Sequence, residues 1–291
     1  MAVIEVEDLT ARQVFDVLEL RNAVATATSG SSPLSDHVVS SVKGLAPGRH
    51  FLQMSGDTVV GYAHLDEASE PVAELVVGET GDVATLLRAV TAAAGTNLKI
   101  WTRGENAALN ESLPGLGFRP TRTLLQMRCP IGAQDLPEPS WPDEVAVRTF
   151  SVGVDEEPWL AVNNAAFAGH PEQAGWTLED VRAREDEAWF DPEGFFLAEA
   201  GGRLIGFHWT KRHVQPGGDL GEVYVIGVDP SMQGKGLGES LLLHGLRHLR
   251  DRGLATVLLY VEADNRGAIA LYERHGFTKW DADRQFSRTL D

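Results

Sequence analysis

The chain has 291 residues, 43% of them hydrophobic, enough to fill one large core or two of typical size. Its formal charge of −17 speaks against nucleic acid or an anionic membrane as a partner, because phosphate contacts dominate such affinities. A single cysteine, Cys129, excludes an internal disulfide and a cysteine-based zinc site and is expected to be a small buried hydrophobe.

The opening residues 1–9 are acidic with no basic leader segment, and no run of about 18 consecutive apolar residues occurs, so a cytoplasmic location is expected. Residues 203–291 carry 12 Lys or Arg against 11 Asp or Glu, whereas the first 202 residues carry 13 against 31. The second part is thus spared the acidity, and the acidic remainder tolerates a cationic substrate such as an amine.

Taken in order, residues 9–28 repeat apolar side chains at helical spacing through Val14, Phe15, Val17, Leu18 and Leu20, and the run from Ser29 to Pro33 breaks the pattern. Asp36 opens a second, short helix. Residues 51–54 and 59–64 flank Ser55, Gly56 and Asp57 and predict a hairpin. A third strand is predicted over 73–77, a helix over 83–94, a fourth strand over 98–102 and a late one over 124–129. Pro130, Pro137, Pro139 and Pro142 then predict a linker, after which Val145 begins the pattern again.

The two halves align in segments. Phe51 and Gly61 are spaced as are Phe196 and Gly206, an offset of 145 residues; Asn106, Gly117 and Phe118 answer Asn265, Gly276 and Phe277, an offset of 159. The second half therefore carries extra residues between these landmarks. Part of that excess falls within residues 222–239, where an apolar run over 224–228 is broken by Asp229 and Pro230. A helix follows, signalled by Leu237, Leu241, Leu242, Leu246 and Leu249. Gln233, Gly234, Lys235, Gly236, Leu237, Gly238 and Glu239 sit at that strand-to-helix junction. There, unpaired N–H groups, the helix dipole and Lys235 favour an anion, and glycines admit a pyrophosphate to the backbone. No Ser or Thr follows the lysine, so this is not a magnesium-binding phosphate loop, and Leu241 breaks the dinucleotide fingerprint.

Gln233, Gly236 and Gly238, with the closing segment from Asn265 to Phe277, resemble the acetyl-CoA motifs of the GCN5-related N-acetyltransferases. The resemblance implies an α/β fold of two tandem domains, 1–140 and 141–291, each a mixed, mostly antiparallel sheet flanked by helices. It also implies that only the second domain is catalytic. It places acetyl-CoA, as co-substrate and without a metal, on Ile226, Gly227, Val228, residues 233–239, Asn265, Arg266, Gly267, Ala268, Ile269 and Ala270. A second docking edge is implied at Leu75, Val76 and Val77.

Acetyl transfer to an amine needs a base for the ammonium, a donor for the oxyanion and an acid for the thiolate. Glu222, immediately ahead of the strand 223–228, is the candidate base, with a strand-end surface carboxylate as the alternative. Tyr272, whose place Leu113 takes in the first half, is the candidate acid, with a core aromatic as the alternative. Asn265 is expected to cap its helix, and the backbone N–H of Val228 to face the oxyanion. His170, His208 and His213 are expected to be structural, with groups that support the site residues as the alternative, and their spacing makes no metal site.

The segment 163–177 and the strand at 222–228 resemble those family members that acetylate the cysteinyl amine of desacetylmycothiol, a cysteine amide of glucosaminyl-inositol, giving mycothiol and CoA. That resemblance implies substrate contacts at Asp36, Glu172, Lys211, Glu222 and Tyr260 and a small-molecule partner, with the chain acting as a monomer. Another small amine, an aminoglycoside or polyamine, remains open as acceptor, as does a non-catalytic acyl-CoA-sensing module.

Overall fold

The computed structural model describes residues 1–27, 32–67, 70–95, 97–104, 106–132, 135–170, 173–214 and 218–288. The breaker residues Ser29, Gly30 and Ser31 and the expected substrate contact Glu172 lie outside the described residues. The chain divides into two compact α/β units: residues 1–126 with 262–264 and 280–291, and residues 127–261 with 265–279.

The first unit is built from β1 (Ala2–Val6), α1 (Ala11–Ala27), α2 (Asp36–Val42), β2 (Arg49–Ser55), β3 (Thr58–Asp66), β4 (Val72–Val77), α3 (Val83–Ala94), β5 (Leu98–Thr102), α4 (Ala107–Gly115) and the start of β6 (Arg119–Pro130). Its strands run in the order β1-β2-β3-β4-β5, antiparallel except for the parallel pair β4–β5. Successive strand residues serve opposite faces. Phe51, Ala63, Leu65 and Leu75 pack with Leu86, Leu87 and Val90 of α3 and Leu113 of α4, whereas Leu52, Tyr62 and Val76 pack with Val17 of α1 and Val38 of α2.

The second unit repeats this with β7 (Val145–Thr149), α5 (Glu156–Ala166), α6 (Leu178–Glu185), β8 (Phe195–Ala200), β9 (Arg203–His213), β10 (Leu220–Val228), α7 (Leu237–Asp251), β11 (Thr256–Glu262) and α8 (Arg266–Arg274). Its order is β7-β8-β9-β10-β11, again antiparallel but for the last pair, β10–β11. Trp159, Val181, Phe207 and Trp209 form the core beneath α5 and α6, and Ile205, Leu237 and Leu241 the core beneath α7.

The expected break between residues 140 and 141 is not where the units part. The last strand, β12 (Thr278–Arg288), follows the second unit in sequence, yet its residues from Trp280 onward belong to the first. It pairs antiparallel with β5, from Arg284–Thr102 to Arg288–Leu98. Phe286 enters the first unit's core, and Asp283 accepts from Arg103 Nη1 at 2.8 Å and from the Gly104 N–H at 2.9 Å. The free edge of β5 has backbone groups to satisfy, and the strand that satisfies them comes from the far end of the chain.

Candidate active site

The site grows out of the way β10 leaves its neighbours. It pairs with β11 at Gly221–Val257, Glu222–Leu258 and Val223–Leu259, and among the described residues no pair follows, although both strands continue. On the other side, the register with β9 shifts between Thr210–Val223 and Trp209–Val225, so Tyr224 is an inserted bulge residue. Beyond the bulge, the Asp229 N–H donates to Ile205 O at 2.9 Å, which makes Val228–Gly206 a pair without mutual hydrogen bonds. By the alternation of an antiparallel ladder, the polar backbone groups of Ile226 and Val228 then point away from β9, toward the side that β11 has left.

An extended ligand arm with amide groups fits that edge as an added strand. The junction beyond it suits the phosphates. Gly234 and Gly236 adopt φ of 76° and 81°, a left-handed conformation that side chains disfavour. Gly236 caps α7 without a side-chain bond, so among the described residues no capping side chain covers the start of this 15-residue helix. Gln233, Gly234, Lys235 and Gly236 are exposed, and Leu237 is buried beneath them. The side chain of Glu239, also expected among the cofactor residues, has its Oε1 2.8 Å from His275 Nε2, tying α7 to the end of α8. Asn265 caps α8 as expected, accepting from the Ala268 N–H at 3.1 Å, and Asn265, Arg266 and Gly267 are exposed while Ala268 and Ile269 are half-buried. The residues present fit acetyl-CoA.

Glu222 lies inside β10, its third residue, rather than ahead of the strand, and is only 7% exposed. Its Oε2 is 2.6 Å from His213 Nε2. The two come together because β9 pairs Leu220 with His213 and Glu222 with Lys211, setting all four on one face of the hairpin. Lys211 does not face a carboxylate alone. Its ammonium lies 4.4 Å from the ring centre of Trp189 and 5.4 Å from that of Tyr224, a cation held against aromatic faces.

Tyr272 is buried on α8, its ring tilted 5.8 Å from that of Phe277. Burial pushes its phenol up from 10.0 to about 12, so it is protonated at neutral pH. Tyr260, one residue past the last β10–β11 pair, is 44% exposed. Asp36 is exposed in the first turn of α2 and belongs to the first unit. In that unit, Leu75 and Val76 are buried, and β4 runs past its last pair with β5, Glu74–Trp101.

The segment 163–177 also has a physical role. Asn164 grips Trp176 at both backbone groups, accepting from its N–H at 3.1 Å and donating to its carbonyl at 2.9 Å. Arg184 stacks 3.8 Å over the Trp176 ring and donates to the Tyr224 hydroxyl at 3.2 Å. The segment therefore braces the bulge that opens the site. His170 accepts from the Gln173 N–H at 3.2 Å, and His208 is buried with Nδ1 2.7 Å from Leu241 O. Cys129 is buried and donates to His275 O at 3.3 Å. Among the described residues no three His, Cys, Asp or Glu gather as metal ligands, and no helix is long and apolar enough to cross a membrane.

A parted parallel strand pair, a glycine-opened helix and a buried carboxylate and phenol define an acetyl-CoA-dependent acyltransferase, and the comparisons agree. The acetyltransferase (GNAT) family model matches residues 159–277. The mycothiol acetyltransferase of Thermomonospora curvata is 48% identical over 284 residues, covering 95% of this chain and 94% of that one. That of Streptomyces avermitilis is 50% identical over 82% of this chain and 79% of its own length. Among solved structures, a GCN5-related N-acetyltransferase from Sphaerobacter thermophilus aligns over 99% of this chain and 95% of its own, with a TM-score of 0.77 and 20% identity. A tandem GNAT protein from the clavulanic acid biosynthesis pathway aligns over 99% and 98%, with a TM-score of 0.75 and 16% identity. The chain belongs to the GCN5-related N-acetyltransferase family and, within it, to the mycothiol acetyltransferases.

Proposed function

We propose that the chain transfers the acetyl group of acetyl-CoA to the cysteinyl amine of desacetylmycothiol, giving mycothiol and CoA, the last step of mycothiol biosynthesis. The observation that carries this reading is the length of the likeness. Relatives named for mycothiol are 48% and 45% identical over 95% and 94% of the chain, far beyond the generic cofactor motif. Lys211, Tyr260, Asp36 and Glu172 are proposed as contacts to the sugar and inositol hydroxyls or the ammonium of the acceptor.

In this reading acetyl-CoA supplies an acetyl group activated as a thioester. Ile226 and Val228 hold its amide arm, residues 233–238 and Arg266 its phosphates. Glu222 removes a proton from the acceptor's ammonium. The Val228 N–H donates to the thioester oxygen as negative charge gathers there. The freed amine then bonds to the thioester carbon and the C–S bond breaks, Tyr272 giving its proton to the departing thiolate and regaining one in place of the second proton that the new amide nitrogen sheds; the apolar surroundings that raise its phenol also raise the basicity of a thiolate beside it, so the transfer stays matched. We propose that the first unit is non-catalytic and keeps a docking edge at Leu75, Val76 and Val77.

The test is CoA release from acetyl-CoA with desacetylmycothiol, cysteine amide, aminoglycosides and polyamines as acceptors. Strong preference for desacetylmycothiol over cysteine amide is expected. Turnover only with another amine would refute the acceptor, and no turnover with any would leave an acyl-CoA-sensing module.

A further inference from the structure

We propose that His213 is the positioning residue of the general base: its imidazole fixes Glu222 Oε2 and so presents Oε1 to the acceptor's ammonium. The inference rests on the reading of Glu222 as base. A carboxylate buried to 7% exposure needs a hydrogen-bond partner, and the cation directly across the hairpin, Lys211, is instead drawn over Trp189 and Tyr224. The partner is His213, at 2.6 Å, in the range of charge-assisted hydrogen bonds.

The geometry assigns the oxygens different tasks. Oε2 accepts from His213, whereas Oε1 has no bond to the protein among the described residues. A carboxylate free to rotate about its last torsion presents either oxygen and is ordered only once the acceptor arrives; one held at Oε2 is ordered beforehand. In the step itself, an N–H bond of the ammonium breaks as an O–H bond forms at Oε1, and the Nε2–H to Oε2 bond is kept throughout. The proton later leaves Oε1 to water. His213 is half-buried at the last position of β9, so its other nitrogen is not needed inside the site.

His213 and Glu222 form a hydrogen-bonded pair across the hairpin. The charged and titratable groups around that pair are Lys211 from β9, Tyr224 from β10 with Arg184 of α6 on its hydroxyl, and Tyr260 from β11.

The test compares His213→Gln, which retains a side-chain N–H donor, with His213→Phe, which retains bulk but no donor, in the full-length protein with acetyl-CoA and desacetylmycothiol. His213→Phe is expected to lower kcat ~30-fold with the KM for acetyl-CoA unchanged. His213→Gln is expected to stay within ~5-fold of wild type. Wild-type kcat in His213→Phe would overturn the inference, as would equal losses in both variants or a loss confined to acetyl-CoA affinity. Glu222→Gln separates the two readings. Wild-type turnover in that variant sinks the base itself, whereas an inactive Glu222→Gln beside a fully active His213→Phe sinks only the role of His213.

Discussion

The two units share one strand arrangement and differ in what stands around it. In each, the parallel pair ends early, at Glu74–Trp101 and at Val223–Leu259. In each, the N–H just beyond the strand bonds back across the hairpin at 2.9 Å, Gly78 to Val60 and Asp229 to Ile205, so Leu75 and Val77 turn away from β3 as Ile226 and Val228 turn away from β9. Lys99 pairs with Val72 and Leu258 with Glu222, and these partners are 159 positions apart, the offset that also relates Asn106 to Asn265. Val72 thus stands in the place of Glu222, and by the same offset Leu113 stands in the place of Tyr272. The helix after the edge differs too. Asp82 caps α3, its carboxyl held below the usual range by the Thr85 hydroxyl and accepting from the Ala84 N–H at 3.0 Å, whereas Gly236 leaves the start of α7 open. The backbone part of cofactor recognition comes with the fold; the chemistry is a few side chains and one loop.

That contrast is broken most severely by Glu222→Gln, which should lower turnover ~10³-fold with acetyl-CoA affinity unchanged, while Val72→Gln in the first unit should leave turnover intact. Steady-state CoA release and calorimetric titration of acetyl-CoA check both arms. Next comes Tyr272→Phe, expected to slow turnover ~10- to 100-fold at neutral pH. The same variant has a signature in stability. Tyr272 keeps its proton to about 12 in the folded state against 10.0 unfolded, so wild-type stability falls as pH rises through that window. Tyr272→Phe should flatten that fall in denaturant titrations between these pH values.

Most of this was legible in the sequence, and where it was not the reason is physical. The helix at Val83–Ala94 and the strand at Leu98–Thr102 have the predicted bounds, because caps and breakers delimit them locally. The cofactor loop was legible because glycine spacing has a mechanism. β1 gives no signal in its acidic opening and exists because β2 offers an edge, and β12 joins the first unit for the same kind of reason at β5. The Glu222–His213 contact was hidden because residues 9 apart in sequence meet only through the hairpin register. The alternation Lys211-x-His213 opposite Leu220-x-Glu222 was the one available signal. The bracing role of residues 163–177 needed Arg184 and the bulge at Tyr224, neither of which has a sequence pattern.

Acid sharpens the comparison from the other side, since each unit buries a histidine whose pKa is driven down to about 4, chiefly by burial: His50 in the first and His208 in the second. Unfolded, each takes up its proton near 6.5, so the stability present above that value is lost as pH falls toward about 4. Denaturant midpoints at pH 7 and pH 5 should differ less in His50→Gln and in His208→Gln than in wild type. The smallest effect concerns the two helix starts. Asp82→Ala should cost about 1 kcal/mol of stability, the ordinary worth of an N-cap, and leave turnover unchanged. Gly236→Ala should cost about as much through its left-handed backbone, but should also weaken acetyl-CoA binding, because the strained residue forms the phosphate turn. If both variants lose stability alone, the open start of α7 is not an anion site; if both weaken acetyl-CoA binding, the first unit holds the cofactor through its capped helix as well as its edge.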